Sequence, residues 1–522
     1  MKKYMVLMGI LVSMTLLFVS YSWGQNHAPI DTAANRSICI GTSCVGMPPA
    51  FVPWVEDPDI WDTFNFEILS PPPPLNGTAA VVNNKLVYTP NSGFSSGTDN
   101  FTYTVTDQDG ATKTGIAKVR VYGEGAYSIC TRNSTVDTNG ALETLTRSNP
   151  CTFYSKSTTR MTDNGAPVTM DYFINWPSNG STPKALVVLI GGGDLNMNLG
   201  GDTTTGVANP TGGGNFVVRT AQLFANAGYA TVAINRPSHL PLDSIGDTDQ
   251  YRISVKHAVD ILTVLKHINT ENLDVFLAGT SCGAISAVAS NLIAAGVSLS
   301  SPVTSPPVLE PSRLYVGRSD IANLQPSFVQ RPVHVLWHQD DQCSVSKPED
   351  SQALYNSLSS SPTAANDITS GGVRVTTDSD NVNVCGPFDY HGYFGIETTA
   401  VGYITNWLNA RVSAFAGNRR PEAAFVTITT LPGEPKHTDL ATLTRDQVGD
   451  SLSYALSHTK TSLGGSVALN GSTVTYTPPA GVSNKTDYYV YVVTDGKGGV
   501  GAAVITVRIG IPPAPPSGLR IH

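Results

Sequence analysis

Three side chains in this sequence have the types and the chain order needed to drive a hydroxyl onto a carbonyl carbon. Ser281 stands in Gly279-Thr280-Ser281-Cys282-Gly283, two neighbouring carboxylates follow at Asp340 and Asp341, and His391 comes last, in Asp389-Tyr390-His391-Gly392-Tyr393. A serine hydroxyl is inert near neutral pH until a base accepts its proton. The base in turn needs a carboxylate that fixes its tautomer and stabilises the imidazolium. The charge that builds on the carbonyl oxygen needs preorganised N–H donors, and Gly191-Gly192-Gly193-Asp194 offers a glycine-rich turn whose backbone can approach it. A phosphate-binding loop is the rival reading of that turn, but no Lys-Ser/Thr pair follows it.

The elements around these residues decide whether the pattern means anything. Asp274–Ala278 is an apolar run short enough for a buried strand. After the G-x-S-x-G turn, apolar residues recur at Ile285, Val288, Ala289, Leu292 and Ile293, the spacing of a helix expected over 282–295. A serine at a sharp strand-to-helix turn presents its hydroxyl at the sheet's edge, above the free N–H groups of the helix. Gly93-Phe94-Ser95-Ser96-Gly97 matches the same five-residue pattern but lies among alternating β-type residues with no helix behind it, so Ser95 reads as a loop serine. His257, His267 and His334 read as packed or surface histidines, whereas His391 sits on a glycine-flanked loop in the required chain order.

Between about Ser128 and Phe415, strand-like and helix-like runs alternate. Strands are expected at 185–190, 230–234, 274–278, 333–337 and 373–376, and helices at 216–227, 254–267, 282–295, 348–358 and 397–409. Such alternation predicts a doubly wound, mostly parallel sheet with helices on both faces, whose chemistry gathers beyond the carboxyl ends of the strands.

The length, 522 residues, calls for about three domains. Charged residues are only 14% of the chain, and a formal charge of −8 without a basic cluster argues against nucleic-acid binding. Lys2 and Lys3 precede an apolar run through Val19, which reads as a secretory signal peptide over 1–25; a membrane anchor is the alternative. Seven cysteines suit an exported, disulfide-bonded protein that is secreted, periplasmic or on the cell surface. Cys39 with Cys44 and Cys130 with Cys151 are local candidates, the connectivity stays open, and Cys282 is the odd thiol.

The regions either side of the centre are β-patterned and alike. Lys85 to Gly110 (KLVYTPNSGFSSGTDNFTYTVTDQDG) matches Thr473 to Gly498 (TVTYTPPAGVSNKTDYYVYVVTDGKG), and Asn-x-x-Pro opens both copies, at Asn26 and Asn418. These copies, over 26–124 and 416–510, resemble bacterial cadherin-like or Ig-like β-sandwich modules. That resemblance implies a spacer or adhesive role, with calcium as a possible ligand at Asp107 and Asp109; Lys497 replaces the second acid in the later copy. Residues 511–522 form a proline-rich tail.

The central region, 125–415, resembles the α/β-hydrolase fold. More narrowly, NFVVRTAQLFANAGYATVAINRPS, YRISVKHAVDI, the HQDDQC turn and C-x5-HGYFG resemble a group of exported bacterial hydrolases. The resemblance favours Asp341 over Asp340 as the acid. It implies one oxyanion donor at Gly192 or Gly193 and the other at the N–H of Cys282, a position commonly occupied by arginine in that group. It also implies a bond between Cys343 and Cys385 joining the acid and histidine loops. The expected activity is cleavage of carboxylic esters through an acyl-enzyme, on a substrate that could be polymeric, with neither metal nor organic cofactor. A serine peptidase or thioesterase would share the machinery, and an adhesion protein built on a degenerate hydrolase scaffold is the reading from another class.

Overall fold

The computed structural model describes residues 26–29, 31–39, 50–51, 53–56, 62–69, 73–94, 97–122, 132–133, 146–147, 152–161, 166–177, 183–197, 199, 201–202, 207–208, 215–240, 248, 251–268, 272–291, 293–299, 331–344, 346–358, 364–372, 384–387, 389–414 and 417–510. The signal peptide expected over 1–25, Ser95, Cys44, Cys130, Cys151, the strand expected at 373–376 and the proline-rich segment 511–522 lie outside them, as does the side chain of Cys39.

The centre is one large sheet. Its strands are β1 (Thr152–Met161), β2 (Pro167–Asn175), β3 (Leu186–Ile190), β4 (Ala230–Ile234), β5 (Val275–Thr280), β6 (Ala295–Leu299), β7 (Val333–His338) and β8 (Ala364–Thr369). They lie in the order β1-β2-β4-β3-β5-β6-β7-β8, with two short strands beyond β1. The β1–β2 and β2–β4 pairs are antiparallel, and every pair from β4 to β8 is parallel. Because β3, β5 and β7 run the same way, the turns after Ile190, Thr280 and His338 share one rim.

Burial on both faces explains the near-continuous apolar runs of β3, β4 and β7, all of whose residues are buried. Val187 and Leu189 of β3, with Phe276 of β5, pack in one cluster with helices α1 (Phe216–Asn226) and α5 (Glu397–Ala414). Leu186, Val188 and Ile190 take the opposite face with helix α2 (Val255–Ile268). Helices α3 (Cys282–Ala289) and α4 (Pro348–Leu358) cover Val333, Val335 and Trp337 of β7. The Asn215 side chain caps α1 through the Val217 N–H, 3.2 Å away.

The structure departs from the expected elements at three points. Helix α3 ends at Ala289 rather than 295, and 295–299 is strand β6. The buried Asn291 side chain stops the helix by exchanging hydrogen bonds with the backbone of Arg331, accepting from its N–H at 2.7 Å and donating to its carbonyl at 3.2 Å. Ala364–Thr369, a half-polar run without the alternation that marks a strand, is a strand outside the expected set, while the one expected at 373–376 lies outside the described residues. The β1–β2 hairpin ahead of β3 was not expected at all.

Each flanking unit has two main sheets closed over one core, and the C-terminal one adds a two-stranded ribbon. In the first copy, Leu86 and Tyr88 of one sheet meet Phe101, Tyr103 and Val119 of the other. The repeated tyrosine and aspartate are partners: Tyr88 donates to Asp99 at 2.7 Å, and Tyr476 to Asp487 at 2.9 Å. The repeated Asn-x-x-Pro also has its function. Asn26 donates to Asp107 at 3.2 Å and Asn418 to Asp495 at 2.7 Å, pinning the module's first residues to its last hairpin turn.

The copies differ in what they turn outward. In Gly97–Thr106 of the first, Asn100, Thr102 and Thr104 alternate with buried residues and stay exposed or half-exposed. Tyr488, Val490 and Val492, their counterparts in Lys485–Thr494, are buried against α2 in the central unit's own core, while Tyr489 and Tyr491 fill the module's. Asn272 and Arg420 seal the edge with paired bonds of 2.6 and 3.1 Å. Replacing Tyr488, Val490 and Val492 by Asn, Thr and Thr, the first copy's residues, should weaken this docking by about 3–6 kcal/mol, from lost apolar burial and buried hydroxyls. Calorimetry of the triple variant should then resolve a separate transition for the C-terminal module; an unchanged single transition would count against the interface.

Candidate active site

Strand β5 ends at Thr280 and helix α3 begins at Cys282, so Ser281 alone makes the turn. Its backbone has φ 55° and ψ −128°, a conformation that L-residues rarely adopt and that costs on the order of 1–3 kcal/mol. Only very close packing keeps it there. A Cβ on Gly279 would lie 1.9 Å from the Gly283 carbonyl oxygen, and one on Gly283 would lie 2.3 Å from that of Ile190. Both glycines of the motif are therefore demanded by backbone meeting backbone, where β5, α3 and the end of β3 converge.

The glycine turn after β3 abuts the serine. A Cβ on Gly192 would lie 2.9 Å from Ser281 Cβ and 3.5 Å from its Oγ. Gly193 has φ 57° and is exposed, with no atom near its missing side chain. The Cys282 side chain, the odd thiol, is buried among Ile285, Val288 and Trp337, and its N–H opens helix α3 directly after the serine.

The acid and the histidine are brought together from 50 residues apart: His391 Nδ1 lies 2.8 Å from Asp341 Oδ2, and both side chains are buried. The other Asp341 oxygen accepts the Cys343 N–H at 2.9 Å, which fixes the carboxylate's orientation. Asp340, the alternative acid, is exposed and meets Gln339 instead. A disulfide joins Cys343, two residues after Asp341, to Cys385, six before His391.

Two residues that the sequence did not single out hold the histidine. The Ser346 hydroxyl lies 3.3 Å from His391 Nδ1, on the acid's side of the ring. Arg219, buried in α1, donates to the Gly392 carbonyl oxygen and, at 2.9 Å, to Glu397 at the start of α5. Its guanidinium lies against Phe216 and Phe394, and burial draws its pKa below the ordinary arginine value against the pull of Glu397. The only hint in the sequence was a cation inside an otherwise apolar helix, FVVRTAQLFAN. The Tyr393 hydroxyl completes the anchorage by donating to the Leu336 carbonyl at 2.9 Å.

His257, His267 and His334 have structural surroundings. His257 is fully buried edge-on to Tyr251, and burial, reinforced by Arg252 and Arg160, pushes its pKa well below normal, so it stays neutral. His334 bonds Asp367 at 2.8 Å and stacks on Trp407, and His267 bonds the Tyr172 hydroxyl. In the first flanking module, Asp107 is buried and accepts the N–H groups of Asp109 and Ala111 at 3.0 and 2.8 Å, the geometry of a capped hairpin turn, while Asp109 is exposed. Asp495 repeats this with Lys497 and Gly499. Asp446 and Asp450 approach it, and the Lys497 ammonium pairs with Asp450 at 2.5 Å.

Residues 26–120 and 418–508 each match the family model of a bacterial Ig domain, so the chain carries that domain at both ends of its central unit. No curated protein matches the sequence. Similar solved structures include an esterase from Pyrococcus furiosus, 13% identical, which covers 49% of this chain and 93% of its own at a TM-score of 0.30. A highly thermostable carboxyl esterase from Bacillus coagulans is 10% identical over 50% of this chain and 99% of its own, with a TM-score of 0.30. A post-proline cleaving enzyme from Rickettsia typhi is 10% identical over 69% of this chain and 53% of its own, with a TM-score of 0.32.

Replacing Cys343 and Cys385 together by Ser removes a cross-link over 42 residues and should cost about 4 kcal/mol by chain entropy. Denaturant melts of the double variant check this, and a loss below about 1 kcal/mol would mean that other contacts already hold the two loops.

Proposed function

We propose that the central unit is a serine hydrolase built on a doubly wound sheet of α/β-hydrolase type, with Ser281, His391 and Asp341 as its triad. What carries this reading is the backbone at Ser281: a serine held at φ 55° between a strand and a helix, on the rim where an acid already holds a histidine. Strain of this kind persists only where surrounding structure enforces it, and it concentrates at functional sites.

In the proposed reaction the Ser281 oxygen attacks the ester carbonyl carbon while His391 Nε2 takes its proton. Asp341 at Nδ1 keeps the imidazole in the tautomer that can accept there, and stabilises the cation that results. The carbonyl oxygen becomes an oxyanion facing the N–H of Gly192 or Gly193 and that of Cys282, the first residue of α3, where the helix dipole adds to the donors. Collapse of the tetrahedral intermediate breaks the bond to the alcohol, which leaves with the proton from His391. Water then repeats the sequence on the acyl-enzyme and releases the acid. The residues supply every group these steps need.

Carboxylic esters are the favoured substrates, as nothing in the sequence marks a peptide-binding cleft. Thioesters and peptides would call on the same groups. An exported protein fits the basic, apolar N-terminus and the cysteine usage, and two bacterial Ig domains suit attachment to a bulky or polymeric substrate.

A fluorophosphonate probe should label the full-length protein at Ser281, and Ser281→Ala should abolish the labelling. Asp341→Asn should lower kcat on p-nitrophenyl acyl esters by about 10⁴, by favouring the wrong tautomer of His391. Folded protein that neither labels nor cleaves esters, thioesters or peptide anilides would point instead to an adhesion protein using the scaffold for binding.

A further inference from the structure

Arg252 is fully buried just before α2, outside the groups that the reaction uses. Its guanidinium makes three hydrogen bonds of 3.0 Å. Nη2 donates to the carbonyl oxygens of Gly191 and Gly193, and Nη1 donates to the Ser286 hydroxyl. Two of these partners belong to the glycine turn after β3, and the third lies one helical turn after Cys282 on α3.

A peptide unit is planar, and in the trans form its C=O and N–H point in opposite directions. Fixing the Gly191 carbonyl therefore fixes the direction of the Gly192 N–H, and fixing the Gly193 carbonyl does the same for Asp194. The turn needs such a restraint. Gly193 is exposed at positive φ with no side chain to hold it, while Gly192 sits against Ser281, where a shift of the turn would move its donor. The bond to Ser286 ties the same guanidinium to the helix that carries the second donor. Glycine makes close approach to the serine possible but leaves the backbone free to turn; a buried planar fork removes that freedom.

We infer that Arg252 is the positioning residue of the oxyanion site, setting the Gly192 N–H and the N-terminus of α3 in register with each other. This rests on the serine-hydrolase reading above. The fork is what matters: Lys at this position would supply a charge on one nitrogen but could not span two turn carbonyls and a hydroxyl in one plane. Arg252 acts on the transition state through backbone N–H groups and leaves the Asp341–His391 pair untouched. Its loss should thus separate kcat from both KM and the pH profile.

The test uses the full-length protein, the variants Arg252→Lys and Ser286→Ala, and p-nitrophenyl esters as substrate, with the active fraction counted by fluorophosphonate titration. Arg252→Lys should lower kcat per titrated site by about 10² or more, the scale for a lost oxyanion donor. KM and the pH midpoint of kcat/KM should stay near those of the parent, and affinity for a boronic acid that adds to Ser281 should fall in parallel with kcat. Ser286→Ala removes one of the three bonds and should lower kcat by roughly two- to tenfold. It decides the matter if Arg252→Lys does not fold. Parental kcat per titrated site in the variants that fold would overturn the inference, as would a loss explained wholly by a smaller active fraction. If the parent protein itself is not labelled at Ser281, the hydrolase reading fails first, and this inference with it.

Discussion

Everything at the site depends on three backbones meeting without side chains between them. The end of β3, the end of β5 and the first turn of α3 come so close at Gly279 and Gly283 that a single methyl group at either would overlap a carbonyl oxygen. That contact forces Ser281 into its left-handed conformation and brings Gly192 against it. The strain is sustained by the sheet: β3 is paired with β5 along its whole length, and both are packed by helices on either side. A local distortion of this kind survives because relieving it would mean disturbing a core of buried strands.

Around that point the protein fixes main chain with buried side chains. Arg219 grips the histidine loop at the Gly392 carbonyl, Arg252 grips the glycine turn at two carbonyls, and the Asp341 carboxylate is steered by the N–H of Cys343. Loops cannot be stabilised by ladders of their own, so their backbone groups need partners from elsewhere. Arginine suits the task because its planar head reaches several acceptors at once. The disulfide between the acid and histidine loops adds a covalent restraint to the same pair.

The two bacterial Ig domains share one internal scheme, a buried aspartate receiving a tyrosine hydroxyl and a hairpin aspartate receiving an asparagine amide. They diverge on the outer face of a single strand. Asparagine and threonines leave that face to water in the first copy; tyrosine and valines at the same positions pack it into the central unit in the second. The C-terminal domain is thus part of the central unit's core, whatever further contacts its other surfaces make.

By itself the sequence determined the local features. The turn at Ser281, the helix over 348–358, the acid after β7, the histidine on its loop and the repeated β-modules were all legible, because each is written in neighbouring residues through periodicity, glycine placement or self-similarity. Tertiary structure alone decided what depends on distant partners. Asn291 ends α3 because Arg331 offers it a backbone, and Ala364–Thr369 becomes a strand because β7 lies beside it. The roles of Arg219 and Arg252 were hidden for the same reason: a cation has no evident partner until the carbonyls it binds, more than 50 residues away, are folded against it.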